Sequence, residues 1–300
     1  MPSLGTGETR RDSEGSPLMS EGRRILVLGA TSLVGTFAVP RLAAQGFEVL
    51  ALSRARREDF SLVRHVMGDL TDPALALPEA PTALSLSPIW LLPGGLPALA
   101  RAGVRRLIAF SSTSRFTKAG SPEPEERAVA GRLADGEART FAFCAAHGIA
   151  CTLFRPTLIY AEGRDRNVSR LAALIRRFGA LPLAGAGEGR RQPVHAEDLA
   201  EACLAALDRR ETFGRAYDLP GGETLSYRAM VERIFEGLGR PPRILTLPPA
   251  LWRLGLALAA PLLPGATGAM GDRMGEDLVF DGSAAAADLG WSPRPFRPRF

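Results

Sequence analysis

The segment from Ile25 to Gly35 is an apolar run that breaks at Gly29 and resumes as a helix-like pattern holding Gly35. Such a turn leads a strand into a helix, whose first free N–H groups form an anion site suited to a pyrophosphate. Gly29 can take the turn conformation that a side chain blocks, and Gly35 lets helix and strand pack closely. A second apolar run, 48–52, ends in Ser53 and Arg54, with Arg56 and Arg57 close behind. No Asp or Glu stands there to hold ribose hydroxyls, whereas guanidinium groups fit an extra phosphate in a planar fork. The chemistry these spacings allow is dinucleotide binding, with NADP favoured over NAD. Ser32 takes the middle position of the G-x-x-G-x-x-G spacing, where glycine normally lets the backbone approach the phosphates; its hydroxyl can donate there instead. The same residues also fit a plain strand–turn–helix followed by a solvated basic loop, because one glycine pattern is a weak signal.

The elements that must position these residues alternate along the chain. Strands are expected at 25–28, 48–52, 65–67, 83–86, 106–110 and 151–154, with helices at 36–45, 96–102 and 132–147. Alternation of this kind predicts an α/β fold with a parallel, doubly wound sheet. Gly103 and Gly148 each close a helix just before the next strand. Beyond Tyr160 the elements are shorter: helices at 164–178, 197–207, 226–237 and 284–289, a strand at 216–219 and a glycine-rich loop at 185–189. The expected organisation is a disordered tail over 1–22, a dinucleotide-binding domain over 23–163, and a smaller α/β substrate lobe over 164–300. Within that lobe, 190–215 returns to the first domain. The apolar segment 245–263 is read as a cap of the lobe, with a partner or membrane-surface contact as the lesser alternative.

Composition narrows the function classes. The chain has 300 residues and a net charge of +5, and its basic side chains are almost all arginine, with Lys118 the single lysine. No basic run carries interleaved aromatics, so a nucleic-acid partner is not expected; the positive balance favours small anionic ligands. Cys144, Cys151 and Cys203 lie in apolar segments without metal-ligand spacing, which predicts reduced core thiols, no metal and a cytoplasmic setting. The first 22 residues lack the apolar core of a secretory signal, and no uninterrupted segment is long enough to span a membrane.

Several stretches in order resemble the extended short-chain dehydrogenase/reductase family, the nucleotide-sugar epimerases and dehydratases. They are Gly29 to Gly35, Gly68-Asp69-Leu70, Phe110 to Thr113, Leu153 to Tyr160, Arg191 to Ala200, and Leu289 to Pro293. The resemblance covers nearly the whole chain and implies an NAD(P)-dependent oxidoreductase acting on a nucleotide sugar or related small molecule. It assigns Gly29, Thr31, Ser32, Leu33, Val34, Gly35, Ser53, Arg54, Asp69, Leu70, Ser111 and Pro156 to the cofactor. Asp69 would hold the adenine, and Thr113 falls on the catalytic Ser/Thr position. Arg191 and Arg273 would reach a substrate diphosphate, and a homodimer through two helices of the sheet domain is implied.

One departure is large. The family moves a proton with Tyr and Lys spaced Y-x-x-x-K, the ammonium lowering the phenol pKa. None of Tyr160, Tyr217 and Tyr227 has Lys four residues on. Counting from the flanking motifs places the pair at Val129 and Leu133, with Glu137 at the acidic position that follows. Three readings stay open: substitutes such as Thr113, Lys118, Asp135, Glu137 or Tyr160 do the chemistry; the protein binds NADP(H) without turnover, as a sensor or scaffold; or the helix packs in another register.

Overall fold

The computed structural model describes residues 23–55, 57–248, 250–252, 271 and 273–300. The expected tail at 1–22, Arg56, and most of the apolar segment 245–263 lie outside the described residues.

Seven parallel strands form the central sheet. In chain order they are β1 (Arg24–Leu28), β2 (Glu48–Ser53), β3 (Val63–Met67), β4 (Thr82–Ser85), β5 (Arg106–Phe110), β6 (Ala150–Pro156) and, later, β11 (Arg215–Leu219). Their spatial order is β3-β2-β1-β4-β5-β6-β11. The central strands are buried on both faces, which is why β1, β2 and β5 read as continuous apolar runs rather than alternating ones. One face is covered by α1 (Gly35–Ala44) and α6 (Ala196–Ala206), the other by α2 (Leu92–Arg101) and α4 (Pro124–Ala146). The doubly wound α/β expectation holds. The strand order reverses between β1 and β4, and ligands of such sheets bind in the crevice at the carboxyl ends of the strands there.

Two helices begin earlier than the sequence pattern predicts. Helix α4 starts at Pro124 rather than near 132, with Pro at its first position and Glu125 and Glu126 in its first turn. Such residues satisfy a helix start without any apolar periodicity. Helix α2 starts at Leu92 and runs through Gly94 and Gly95. A side chain at Gly95 would come within 2.5 Å of the Leu70 side chain, so close packing accounts for a glycine there.

A third apolar cluster joins α5 (Val168–Phe178), β8 (Leu181–Ala184), α7 (Tyr227–Gly237) and the C-terminal Phe296. Strand β8 pairs in parallel with β13 (Ile244–Leu247). Short two-residue pairs stitch this part to the sheet: β7 (Ile159–Tyr160) with β10 (Val194–His195), and β9 (Arg190–Arg191) with β12 (Leu225–Ser226). The last described helix, α8 (Ser283–Leu289), packs against β11 and α6.

Arg106 ties the sheet's far side together. Its buried guanidinium donates to the carbonyls of Ala150, Ala206 and Leu207 and to the hydroxyls of Thr152 and Thr212. Burial pushes its pKa down to about 10, yet it stays charged at neutral pH. Replacing it leaves several buried acceptors unpaired. Arg106→Met is therefore expected to cost about 3 kcal/mol of stability. Urea unfolding at pH 7 measures this; a loss below about 1 kcal/mol would show that the acceptors find other donors.

Candidate functional site

The loop after β1 is built for close approach. Gly29 has φ +78, and a Cβ there would lie 2.9 Å from the Ser87 backbone nitrogen beyond β4. A Cβ on Gly35 would overlap the Ala30 carbonyl oxygen. Both glycines are thus required sterically, and the Gly29 turn meets the β4 loop at the point where strand order reverses. Ser32 closes the turn: its N–H donates to the Gly29 carbonyl at 2.9 Å, and its hydroxyl accepts from the Gly35 N–H at 3.1 Å. Thr31 is exposed at the loop's tip, Leu33 is half-buried, and buried Val34 leads into α1. The hydroxyl of Ser85, fully buried near the carboxyl end of β4, has no partner among the described residues.

Around this loop stand the other sequence-predicted cofactor residues. The Ser53 hydroxyl donates to the Ala55 carbonyl, and Arg54 is exposed. Asp69 accepts from the N–H and hydroxyl of Thr71 at 2.9 and 2.8 Å. These bonds, helped by the Arg54 charge, hold its carboxyl below the usual range. Buried Leu70 packs under Gly95.

At the carboxyl ends of β5 and β6 a buried ionic cluster replaces open space. Glu137, on α4 and 1% exposed, accepts from the Ser111 hydroxyl at 2.6 Å. Its carboxylate also accepts from Arg155 at 2.6 to 3.1 Å and pairs with Arg115. Burial alone raises this carboxyl, but the Arg155 and Ser111 hydrogen bonds and the two guanidinium charges outweigh it and hold the pKa below normal. Arg155 also faces Asp218 of β11 at 3.8 Å. Burial raises Asp218 despite Arg155, because Glu137 opposes a second negative charge. Thr113 is buried and donates from its hydroxyl to the Pro156 carbonyl at 3.1 Å. Val129 and Leu133 share the Glu137 stripe of α4 and pack into the apolar cluster on that sheet face.

One turn before Val129, Glu126 gathers what the sequence reading missed. Its carboxylate pairs with Arg273, lies 3.4 Å from Lys118 Nζ and accepts from the Ser121 hydroxyl at 2.8 Å. Burial raises Glu126, but Arg273 and Ser121 bring its pKa below normal, with Lys118 adding to the effect. The available signal was an acid in the first turn of α4, at the spacing that shares a face with Val129. Lys118 follows the short helix α3 (Ser114–Thr117). Tyr160 is placed elsewhere, 2% exposed between the rings of His195 and Phe296. Burial raises its phenol well above the usual value. Thr113, Lys118 and Tyr160 are thus held by three different sets of partners.

Arg191 and Arg273 come together beside a cavity of about 680 Å³ in the C-terminal part. Arg191 is buried and donates to the carbonyls of Arg190, Arg273 and Glu276. Desolvation lowers its pKa, and its guanidinium lies over the Tyr227 ring at 5.5 Å. Leu158, two residues beyond Pro156, lines the same cavity, which connects it to the end of β6.

Residues 96–219 match the model of the NAD dependent epimerase/dehydratase family, the family that the sequence motifs resemble. The mitochondrial NADH dehydrogenase (ubiquinone) 1 alpha subcomplex subunit 9 of Arabidopsis thaliana is 27% identical over 86% of this chain and 67% of the relative. The 2-alkyl-3-oxoalkanoate reductase of Stenotrophomonas maltophilia (strain K279a) is 26% identical over 73% of this chain and 76% of the relative. The solved structure of MoeE5 in complex with UDP-glucose and NAD shares the fold, with a TM-score of 0.69 and 20% identity over 91% of this chain and 94% of that one. No helix among the described residues is long and apolar enough to cross a membrane.

The Glu137 cluster makes an acid-sensitive joint. A carboxyl held below its unfolded value stabilises the fold above about pH 4.3, and that contribution is lost as pH falls through the folded pKa. Glu137→Gln is expected to cost about 3 kcal/mol at pH 7, because Arg155 and Arg115 lose their counter-charge. Its urea midpoint should also fall less than that of the parent between pH 6 and pH 3. Parallel acid slopes would show that other carboxylates carry the effect.

Proposed function

We propose that this chain is an NADP(H)-dependent oxidoreductase acting on a small anionic molecule held in the C-terminal cavity. The cavity with its guanidinium lining carries this reading, because a protein that only held a cofactor would need no such chamber. Gly29, Ser32 and Gly35 would cradle the pyrophosphate, with Thr31, Leu33 and Val34 forming the rest of the loop. Ser53 and Arg54 would hold the ribose phosphate, and Asp69 and Leu70 the adenine side. Bound NADP(H) would supply hydride transfer. Ser111 and Pro156 act behind the nicotinamide side, since the Ser111 hydroxyl is held by Glu137 and the Pro156 carbonyl by Thr113.

The proton falls to Lys118 in this reading. It is the one side-chain ammonium in the chain and sits beside Glu126, one turn before Val129 on α4. Thr113 positions the reacting oxygen. A nucleotide sugar, as in the MoeE5 complex, is one substrate that the Arg191 and Arg273 pair would suit. Three buried cysteines without a disulfide fit a reducing, cytoplasmic setting. A second reading is a dinucleotide-binding protein without turnover, favoured by apolar Val129 and Leu133 and by the similarity to a respiratory-complex subunit.

Titration with NADPH and NADH, followed by nicotinamide fluorescence, tests the cofactor. NADPH should bind more tightly, and Arg54→Ala should weaken it about tenfold while leaving NADH unchanged. Binding of neither would sink both readings. For turnover, Lys118→Met should slow NADPH oxidation about a hundredfold or more at unchanged NADPH affinity. An unaltered rate would remove Lys118 from the chemistry.

A further inference from the structure

The C-terminal cavity has two unlike ends. Along α5, Arg170 faces it near the helix start, and Leu174 and Phe178 line it toward the helix end. Arg170 and Phe178 are about 12 Å apart at the helical rise. Around the apolar end stand Leu181 of β8, Met230 of α7 and Trp252. This apolar surface reaches solvent through Phe178, 63% exposed, and Leu245 of β13, 55% exposed.

The charged part of the lining is cationic: Arg166, Arg170, Arg191 and Arg273 line the cavity, and no Asp or Glu does so among the described residues. Arg191 is engaged by backbone carbonyls and Arg273 by Glu126. Arg166, in the bend that leads into α5, and Arg170, in its first turn, both line the cavity and have no ion-pair partner among the described residues, so their charge is available to a ligand.

A nucleotide base and a sugar carry hydrogen-bonding groups on most edges. Against walls such as Leu174, Phe178, Leu181 and Met230 those groups would be desolvated without partners, each at a cost comparable to a lost hydrogen bond. A hydrocarbon chain has the opposite preference, and the cavity's size is within the range that small-molecule sites use.

We propose that the cavity takes an amphiphile, a hydrocarbon body lying between α5, β8 and α7 with a carboxylate or phosphate head at Arg166 and Arg170. This rests on the reading above that the cavity is the substrate site. It replaces the sugar nucleotide by an acyl or prenyl anion as the ligand class.

The test uses the full chain and cis-parinaric acid, a fluorescent long-chain carboxylate, with NADPH binding measured in parallel. Saturable parinarate fluorescence is expected, displaced by palmitate or by farnesyl diphosphate and not by UDP-glucose. Displacement by palmitate alone marks a carboxylate head; displacement by farnesyl diphosphate marks tolerance of a phosphate. Leu174→Glu should weaken parinarate at least tenfold with NADPH affinity unchanged, and Arg170→Glu should weaken it several-fold, more at low salt. The proposal is overturned if parinarate does not bind, if UDP-glucose displaces it, or if Leu174→Glu binds it as the parent does. Loss of NADPH binding with parinarate binding intact would instead sink the cofactor reading alone.

Discussion

The buried carboxylate of Glu137 is the constraint on which the site depends. Taking a charge out of water is costly unless it is paired and hydrogen-bonded, and here Ser111, Arg115 and Arg155 together meet that demand. Those partners belong to the ends of β5 and β6 and to α3, whereas Glu137 belongs to α4. The ion cluster therefore fixes the rotation and height of α4 against the sheet. With that register set, Val129 and Leu133 must point at the apolar cluster and Glu126 must point toward Lys118 and Arg273. A one-residue slip would strand Glu137 against apolar neighbours, so the packing holds α4 in a single rotation.

The sheet was legible because its strands are buried on both faces. Ile25 to Leu28 and Leu107 to Phe110 have no polar interruption, as a parallel strand covered on both faces allows. The β1 turn was legible for a related reason. Gly29 and Gly35 are demanded by backbone atoms a few ångströms away, and no other residue fits. Where a steric requirement is absolute, one residue type can reveal it.

Elements set by tertiary partners were harder to read. The pair β8 and β13 consists of four-residue segments, one of them holding Pro182, and neither shows a period of its own. The start of α4 is polar and becomes helical through Pro124 and two first-turn acids rather than through an apolar stripe. Gly94 and Gly95 precede the helix expected over 96–102 but lie within α2, where Leu70 packs against them. Arg191 and Arg273 were singled out as separate anion ligands. In the fold Arg191 donates to the Arg273 carbonyl, a link that a separation of 82 positions conceals.

The same geometry joins the two halves of the candidate site. Arg273 lines the cavity with one side and pairs with Glu126 on the other. A guanidinium has five donors in a fixed plane, and those of Arg273 that meet Glu126 hold the carboxylate against the cavity wall, with Lys118 the second cation beside it. The ionic groups of the cleft thus act as one unit, spanning α3, α4 and the segment around Arg273. The apolar Val129 and Leu133 keep that unit at the first turn of α4, because their side chains are committed to the apolar cluster on the sheet face.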